Sequence, residues 1–479
     1  MTEDLRKKTK KSIFWNALDK VGFQVVALLI GVITARLLTP KDFGYIGALA
    51  IFTALSNILV ESGFTSAMVR RKNNTDAEYM AVLLFNFLLS VAIYLVLFIS
   101  APYIALFFNM PELESLSRFL FLAIVLNSFG LVQNIVLTQR LEFRVLSLAS
   151  LISAVLSGIF TIVFIYKDFG YWALAWQIIM QTGFKSLLLW IFSSWKPVFA
   201  IDFKVIKELF SFSFSLIFSS VIMTTVRYIY SIVIGRNFTA QDLGYYSQAF
   251  KFHLIPSNVV SGTVSGVAYP VLSSLNQDET RQLAYFRKLI RVTAFVIFPV
   301  MLGLCVAFDN LVEVALTAKW LPIVPYFRIL GVAAIFMPLH SMNISINTAK
   351  GYPSRSFYIE TIRNVLVVVS LFFCLSSIHL MLISFSLTYF VSYLIGTFSV
   401  RKLLPYKIKE QVMDILPYAS VSILMGVGIY MIHFLKPELG LYLTTLMQIL
   451  FGLSFYCISL YFLGSSIFAE VLDLLKKKQ

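Results

Sequence analysis

The apolar residues of this chain come in long runs separated by short polar loops, the pattern of helices that face lipid. Approximate spans read at 12–38, 44–69, 79–107, 115–137, 145–166, 171–192, 206–234, 243–272, 285–308, 323–347, 355–377, 379–400, 412–434 and 441–463. The longest loops lie near 193–205, 273–284 and 309–322, and none has room for a folded extramembrane domain. The expected fold class is therefore an all-α polytopic membrane protein of about fourteen transmembrane helices.

Composition agrees. Apolar types make up 59% of the 479 residues and charged types 13%, against roughly 25% charged in a soluble protein. The basic start, Arg6-Lys7-Lys8-Thr9-Lys10-Lys11, followed by an apolar stretch to Leu38, imitates a signal peptide. The stretch is too long for one and leads into another span, so it reads as a retained first helix.

The net charge of +15 is read as topology rather than as a nucleic-acid footprint. The even-numbered loops hold Arg70, Arg71 and Lys72, Arg140 and Arg144, Lys196 and Lys204, Arg281, Lys350, and Arg401, Lys402, Lys407 and Lys409. The odd-numbered loops carry little, chiefly Lys41, Lys167, Lys319 and Lys436. The alternation requires an even number of spans and puts both termini, including Lys476-Lys477-Lys478, in the cytoplasm.

A repeat divides the chain. Arg36-Leu-Leu-Thr-Pro-Lys-Asp-Phe-Gly-Tyr45 recurs as Arg236-Asn-Phe-Thr-Ala-Gln-Asp-Leu-Gly-Tyr245. The copies are separated by an even number of spans and share an orientation, which implies two parallel six-helix halves. The expected units are an N-terminal lobe at 1–192, a C-terminal lobe at 206–400 and an accessory helix pair at 412–463. Thr39 and Thr239 are placed to cap the following helix, with Asp42 and Asp242 completing a capping box. Beyond capping, Arg36, Asp42, Arg236 and Asp242 are candidates for a closing contact between two outer loops.

Little points to catalysis. There is no glycine-rich phosphate loop, the four histidines at 253, 340, 379 and 433 lack metal-ligand spacing, and Cys305, Cys374 and Cys457 sit in separate apolar runs without a disulfide framework. No catalytic residue, metal or cofactor is expected. Ionisable residues inside spans are costly and usually face a bundle interior. Asn16, Asp19, Lys20 and Gln24 fall in helix one, Lys185 in helix six, Arg328 and His340 in helix ten, and Glu360 and Arg363 in helix eleven. Asp19, Lys20 and Arg328 are placed to snorkel, and Glu360 with Arg363 has the spacing of a local pair. Glu61, Arg227 and Lys251 lie deeper and flank the repeated loops, next to His253. Arg227, Lys251, Lys185 and Arg363 make the deep set cationic, suited to an anionic substrate. Helix eight carries Pro256, Gly262, Gly266 and Pro270, which read either as tolerated kinks or as a bending gate, and Pro299 and Pro338 allow similar kinks.

The first helix ends in Ala35-Arg36-Leu37-Leu38-Thr39-Pro40, followed by Asp42-Phe43-Gly44-Tyr45 and, in helix two, Glu61-Ser-Gly-Phe-Thr-Ser-Ala. With the basic start and the repeat, this resembles the polysaccharide-biosynthesis branch of the multidrug/oligosaccharidyl-lipid/polysaccharide exporter superfamily, in particular its Wzx-type and teichuronic-acid-type flippases. The resemblance implies a V-shaped, two-lobed bundle in a bacterial inner membrane. It would move undecaprenyl-diphosphate-linked oligosaccharide to the outer leaflet by alternating access. Its partners would be that lipid-linked substrate, membrane lipids, and a polysaccharide polymerase and glycosyltransferases, with no nucleic acid. It also implies a role for the last two helices in holding the lipid tail and coupling to an ion gradient, for which Glu61 is the candidate carboxylate. An ion-coupled drug antiporter of the same superfamily is the alternative; it should show twelve spans and a carboxylate-rich cavity. A polymerase or ligase would need a large outward loop that the sequence lacks.

Overall fold

A computed structural model describes Trp15 and residues 22–61, 64–71, 74–202 and 204–476. Asn16, Asp19, Lys20, the basic segment 6–11, Lys72, Lys477 and Lys478 lie outside the described residues. Every regular element among those described is helical. In chain order these are α1 (Gly22–Leu37), α2 (Pro40–Glu61), α3 (Phe64–Arg70), α4 (Asp76–Phe108), α5 (Glu112–Leu120), α6 (Leu122–Gln139), α7 (Phe143–Tyr166), α8 (Tyr171–Phe192), α9 (Lys204–Asn237) and α10 (Ala240–Ser274). They continue as α11 (Glu279–Leu316), a 3₁₀ turn at Ala318–Trp320, α12 (Ile323–Ala349), α13 (Pro353–Phe373), α14 (Ile378–Arg401), α15 (Ile408–His433), α16 (Lys436–Leu439), α17 (Leu441–Phe462) and α18 (Ser466–Lys476).

Among the described residues, 11 stretches are long and apolar enough to cross a membrane, so the chain is a multi-pass membrane protein. The predicted spans at 12–38, 171–192 and 243–272 correspond to α1, α8 and α10, which are not among those 11. The described part of α1 is short. In α8, Gln177, Gln181 and Lys185 dilute the apolar content, and in α10 Gln241, Asp242, Gln248, Lys251 and His253 do so. Polar residues concentrated in two helices of an otherwise apolar bundle are expected where a helix turns toward water rather than lipid.

Helix ends follow local chemistry. Thr75 and Glu78 form a reciprocal capping box at the start of α4, with Thr75 N donating to Glu78 Oε2 (2.8 Å) and Glu78 N to Thr75 Oγ1 (3.3 Å). The far end of α4 is closed by Asn109 in the left-handed region. Proline lies inside α4, α10, α11, α12 and α15 without interrupting them. Pro256 and Pro270 sit within a continuous α10, and a Cβ on Gly262 or Gly266 would meet nothing within 4 Å.

The chain divides into two compact units, Met1–Gly244 and Tyr245–Gln479. This boundary falls later in the sequence than the predicted end of the first lobe, because α9 packs on α2, α3 and α4. In the first unit, α7 and α8 pair, α6 packs on α4 and α8, and small buried residues such as Ser90 and Ser128 (Oγ–Oγ 3.0 Å) let the helices approach. In the second unit, α12 packs on α14 and α11, and α15 and α17 lie on α11. Tyr456 of α17 donates to Phe295 O (2.8 Å), and Asn310 of α11 donates to Gln448 of α17 (3.0 Å).

The base of α15 is tied down by ionic contacts that the sequence did not reveal. Asp414 accepts from Arg287 Nε (2.7 Å) and Nη2 (3.1 Å), from Arg291 Nε (2.8 Å) and Nη2 (2.6 Å), and from the Tyr406 hydroxyl (2.7 Å). Burial, reinforced by the Asp414 carboxylate, pushes the Tyr406 hydroxyl well above its ordinary pKa, so it stays a donor. Lys288, between the two arginines, pairs with Glu470 of α18 (2.5 Å).

Candidate translocation site

The two repeated segments fold alike. Asp42 accepts from Thr39 N (2.8 Å) and Thr39 Oγ1 (2.6 Å) at the start of α2. Asp242 accepts from Thr239 N (3.2 Å) and Thr239 Oγ1 (2.6 Å) at the start of α10, and donates its own N–H to Thr239 Oγ1 (3.1 Å). Each carboxylate also sits in the first turn, where the helix dipole favours it.

These helix starts cross one another. A Cβ on Gly44 would overlap the Ala240 carbonyl, and a Cβ on Gly244 would overlap the Pro40 carbonyl, so each backbone rests on the other reciprocally. Only glycine permits this approach. All of these residues belong to the first unit. The shared tyrosine of each copy then ties its helix to the next loop at the same end. Tyr45 donates to Glu112 Oε1 (2.5 Å), which Lys41 Nζ also approaches (3.6 Å), while Tyr245 donates to Lys319 O (3.3 Å) in the second unit. Arg236 donates to Leu106 O (3.3 Å) and Phe107 O and lies over the Phe107 ring. Arg36 is exposed at the end of α1. The sequence supplied the repeat and its caps; the mutual glycine contact needed coordinates, because two helices far apart in sequence must meet to display it.

Lys185, Arg227 and Lys251 make no hydrogen bond or ion pair among the described residues. Arg227 is exposed and Lys185 half-buried, while Lys251 keeps accessible surface although protein closely surrounds it. At 1.5 Å per residue, Arg227 lies about 15 Å along α9 from Asn237, and Lys251 about 17 Å along α10 from Ala240. Arg227 is thus near the middle of the candidate span Ile217–Asn237, and a hydrocarbon layer is about 30 Å thick. An exposed cation at that depth is stable only where its surroundings are water-filled.

Glu61 ends α2, exposed, and accepts from Asn127 Nδ2, which also approaches Asn57 Oδ1 (3.4 Å). Arg363 differs from the three free cations. Its Nη2 pairs with Glu360 Oε2 (2.6 Å), and the other carboxylate oxygen meets His340 Nε2 (2.8 Å). The i,i+3 pair expected from sequence therefore exists, but as part of a three-residue cluster spanning α12 and α13. Arg328 pairs with Asp309 (3.8 Å) and donates to Cys305 O (2.9 Å). The three cysteines are free.

The chain is 26% identical over 400 residues, 82% of each chain, to the teichuronic acid biosynthesis protein TuaB of Bacillus subtilis (strain 168). It is 24% identical over 370 residues, 76% of this chain and 74% of the relative, to the lipopolysaccharide biosynthesis protein WzxC of Escherichia coli (strain K12). Its fold matches the lipid II flippase MurJ in an inward closed conformation, with a TM-score of 0.77 over 96% of this chain and 99% of that one, at 18% identity. With a match to the polysaccharide biosynthesis protein family running from residue 33 to residue 325 of its 479 residues, the chain belongs to that family.

Proposed function

We propose that this protein is a flippase that carries polyprenyl-diphosphate-linked oligosaccharides from the cytoplasmic to the outer leaflet of a bacterial inner membrane, for surface polysaccharide biosynthesis. The observation that carries this reading is the set of cations without a partner among the described residues, Arg227, Lys251 and Lys185, at membrane depth in a polysaccharide biosynthesis family member. A diphosphate offers several anionic oxygens, and charge-assisted bonds to it are strong in a low-dielectric surround. Arg363 enters such a path only together with its Glu360 partner. The protein acts as a transporter, not as an enzyme: the sugar and lipid leave chemically unchanged.

The transport cycle follows from the same features. About fourteen helices, counted by adding α1, α8 and α10 to the 11 clear spans, put both termini in the cytoplasm. The lobes 1–192 and 206–400 then work as parallel halves by alternating access. The repeated caps, with Asp42, Asp242, Arg36 and Arg236, lie at the outer end, where the Gly44–Gly244 crossing keeps the path shut while the headgroup enters from inside. The pair α15 and α17 holds the lipid tail. A polymerase and glycosyltransferases act before and after it on the same lipid-linked sugar.

Replacing Arg227 or Lys251 with glutamine tests the reading. Each loss of a charge-assisted bond is expected to lower surface polysaccharide by about tenfold at matched protein levels. Wild-type export in both variants would contradict the assignment.

A further inference from the structure

A second charged site lies wholly within Tyr245–Gln479. His340 is 4% exposed, Glu360 22% and Arg363 16%, so a carboxylate, a guanidinium and an imidazole share a nearly closed space. By helical rise, Glu360 is about 10 Å along α13 from Pro353, and His340 about 14 Å along α12 from Ala349. Ionisable groups buried at such depth mark ion pathways or relays.

The hydrogen bonding is built for one movable proton. Glu360 Oε1 meets His340 Nε2 at 2.8 Å, and Oε2 meets Arg363 Nη2 at 2.6 Å, so both carboxylate oxygens are engaged. Arg363 also donates to Asn364 Oδ1 (3.0 Å) and lies over the Tyr389 ring (5.2 Å), which fixes the guanidinium. The remaining ring nitrogen, His340 Nδ1, faces the Ser392 hydroxyl at 3.3 Å. A hydroxyl donates or accepts equally well. With a neutral ring, Ser392 donates to Nδ1. With a proton added at Nδ1, that N–H donates to Ser392 Oγ and the hydroxyl hydrogen rotates away. Both protonation states are satisfied without moving a helix.

The groups named on the surrounding faces are uncharged or already paired. From α14 come Ser392, Tyr389 and the buried Tyr393, whose backbone carbonyl accepts from Asn343 (3.3 Å). From α10 come uncharged contacts, Ser257 to Ala334 O (2.9 Å) and Ser265 to Ser341 (2.9 Å). On α11, Arg287 and Arg291 are held by Asp414, and Asp309 lies beside Arg328. A metal cation is a poor fit, because Arg363 already occupies one carboxylate oxygen and neutralises the charge. No group of three His, Cys, Asp or Glu residues is placed to hold a metal among the described residues.

We propose that the His340–Glu360–Arg363 cluster, with Ser392, is a proton-binding site through which a pH gradient drives this transporter. The proton enters from bulk water on one side, resides on His340 Nδ1, and leaves to the other. This rests on the flippase reading for what is driven, but not for the binding of the proton itself.

Two measurements on the purified full-length protein separate the claims. In proteoliposomes holding a fluorescent polyprenyl-diphosphate monosaccharide, one unit of imposed pH difference is expected to shift the leaflet distribution by up to about tenfold per coupled proton. His340→Gln should lose that shift while gradient-free exchange remains measurable. A full pH response in His340→Gln, or a wild type driven by sodium and not by pH, overturns the proposal. Should the wild type move no labelled lipid, the flippase reading fails, and the proton site is decided by nuclear magnetic resonance of ¹⁵N-labelled histidines. The ring signals of His340, identified by their loss in His340→Gln, should respond to added acid. Signals that do not respond overturn it.

Discussion

Leucine at Gly44 or Gly244 is expected to abolish export while leaving the protein in the membrane. A Cβ at either position overlaps a carbonyl of the opposing helix start, Ala240 or Pro40, and backbone cannot step aside as a side chain can. The crossing must open. Overpacking of this kind costs about 2 kcal/mol per site, equivalent to about a thirtyfold loss of the closed arrangement. The rest of each helix start is unaffected, because Thr39–Asp42 and Thr239–Asp242 cap their own helices. Cysteines introduced at the exposed positions Lys41 and Gln241, in a background without the native cysteines, report on the crossing. A short bismaleimide should join them in the parent and fail to do so in either leucine variant. Equal cross-linking and normal export in both would show that the contact is incidental.

The second large effect is on stability. Asp414 is 5% exposed and receives five hydrogen bonds from Arg287, Arg291 and Tyr406. Asparagine there keeps the shape but removes the charge that two guanidinium groups surround, leaving them partly buried and uncompensated. Breaking such a cluster from one side costs about 3 kcal/mol, so the thermal midpoint in detergent should fall by about 5 °C or more. The loss should concentrate in α15 and α17, which depend on α11 for their packing. Arg287→Lys should cost less than Asp414→Asn, since Arg291 still holds both carboxylate contacts with Oδ1. An unchanged midpoint for Asp414→Asn would mean that apolar packing of Tyr418, Val421, Met425 and Tyr456 fixes the pair unaided.

Much of this architecture was readable beforehand, for definite reasons. Lipid imposes long apolar runs, so helices such as α7, α12 and α17 begin and end close to the expected positions. The repeat exposed the caps because Thr–x–x–Asp is a local motif. Where the structure departs, tertiary contacts decide. The helix expected at 115–137 is split at the fully buried Phe121, with no proline or glycine to announce it. The start of α11 extends back to Glu279 through a polar stretch that only α15 and α18 make useful, and α18 itself was hidden within a basic tail. The candidate site was legible as a list of costly residues, not as an arrangement. His340 looked isolated, yet it joins Glu360 on the next helix, α13; Arg287 and Arg291 meet Asp414 only through folding. Sequence separation hides such partners, whereas the absence of partners for Lys185, Arg227 and Lys251 among the described residues is what distinguishes them from the structural charges.

The most direct test of the account is translocation by the purified protein in sealed vesicles, without any gradient. A fluorescent polyprenyl-diphosphate-linked oligosaccharide is placed in both leaflets, and an impermeant reductant destroys whatever label reaches the outside. The account predicts that wild-type protein exposes the protected inner-leaflet label, and that the Arg227→Gln, Lys251→Gln double variant, equally folded, does so at a small fraction of that rate. Label that stays protected to the same extent in vesicles with folded wild-type protein as in empty vesicles would contradict it.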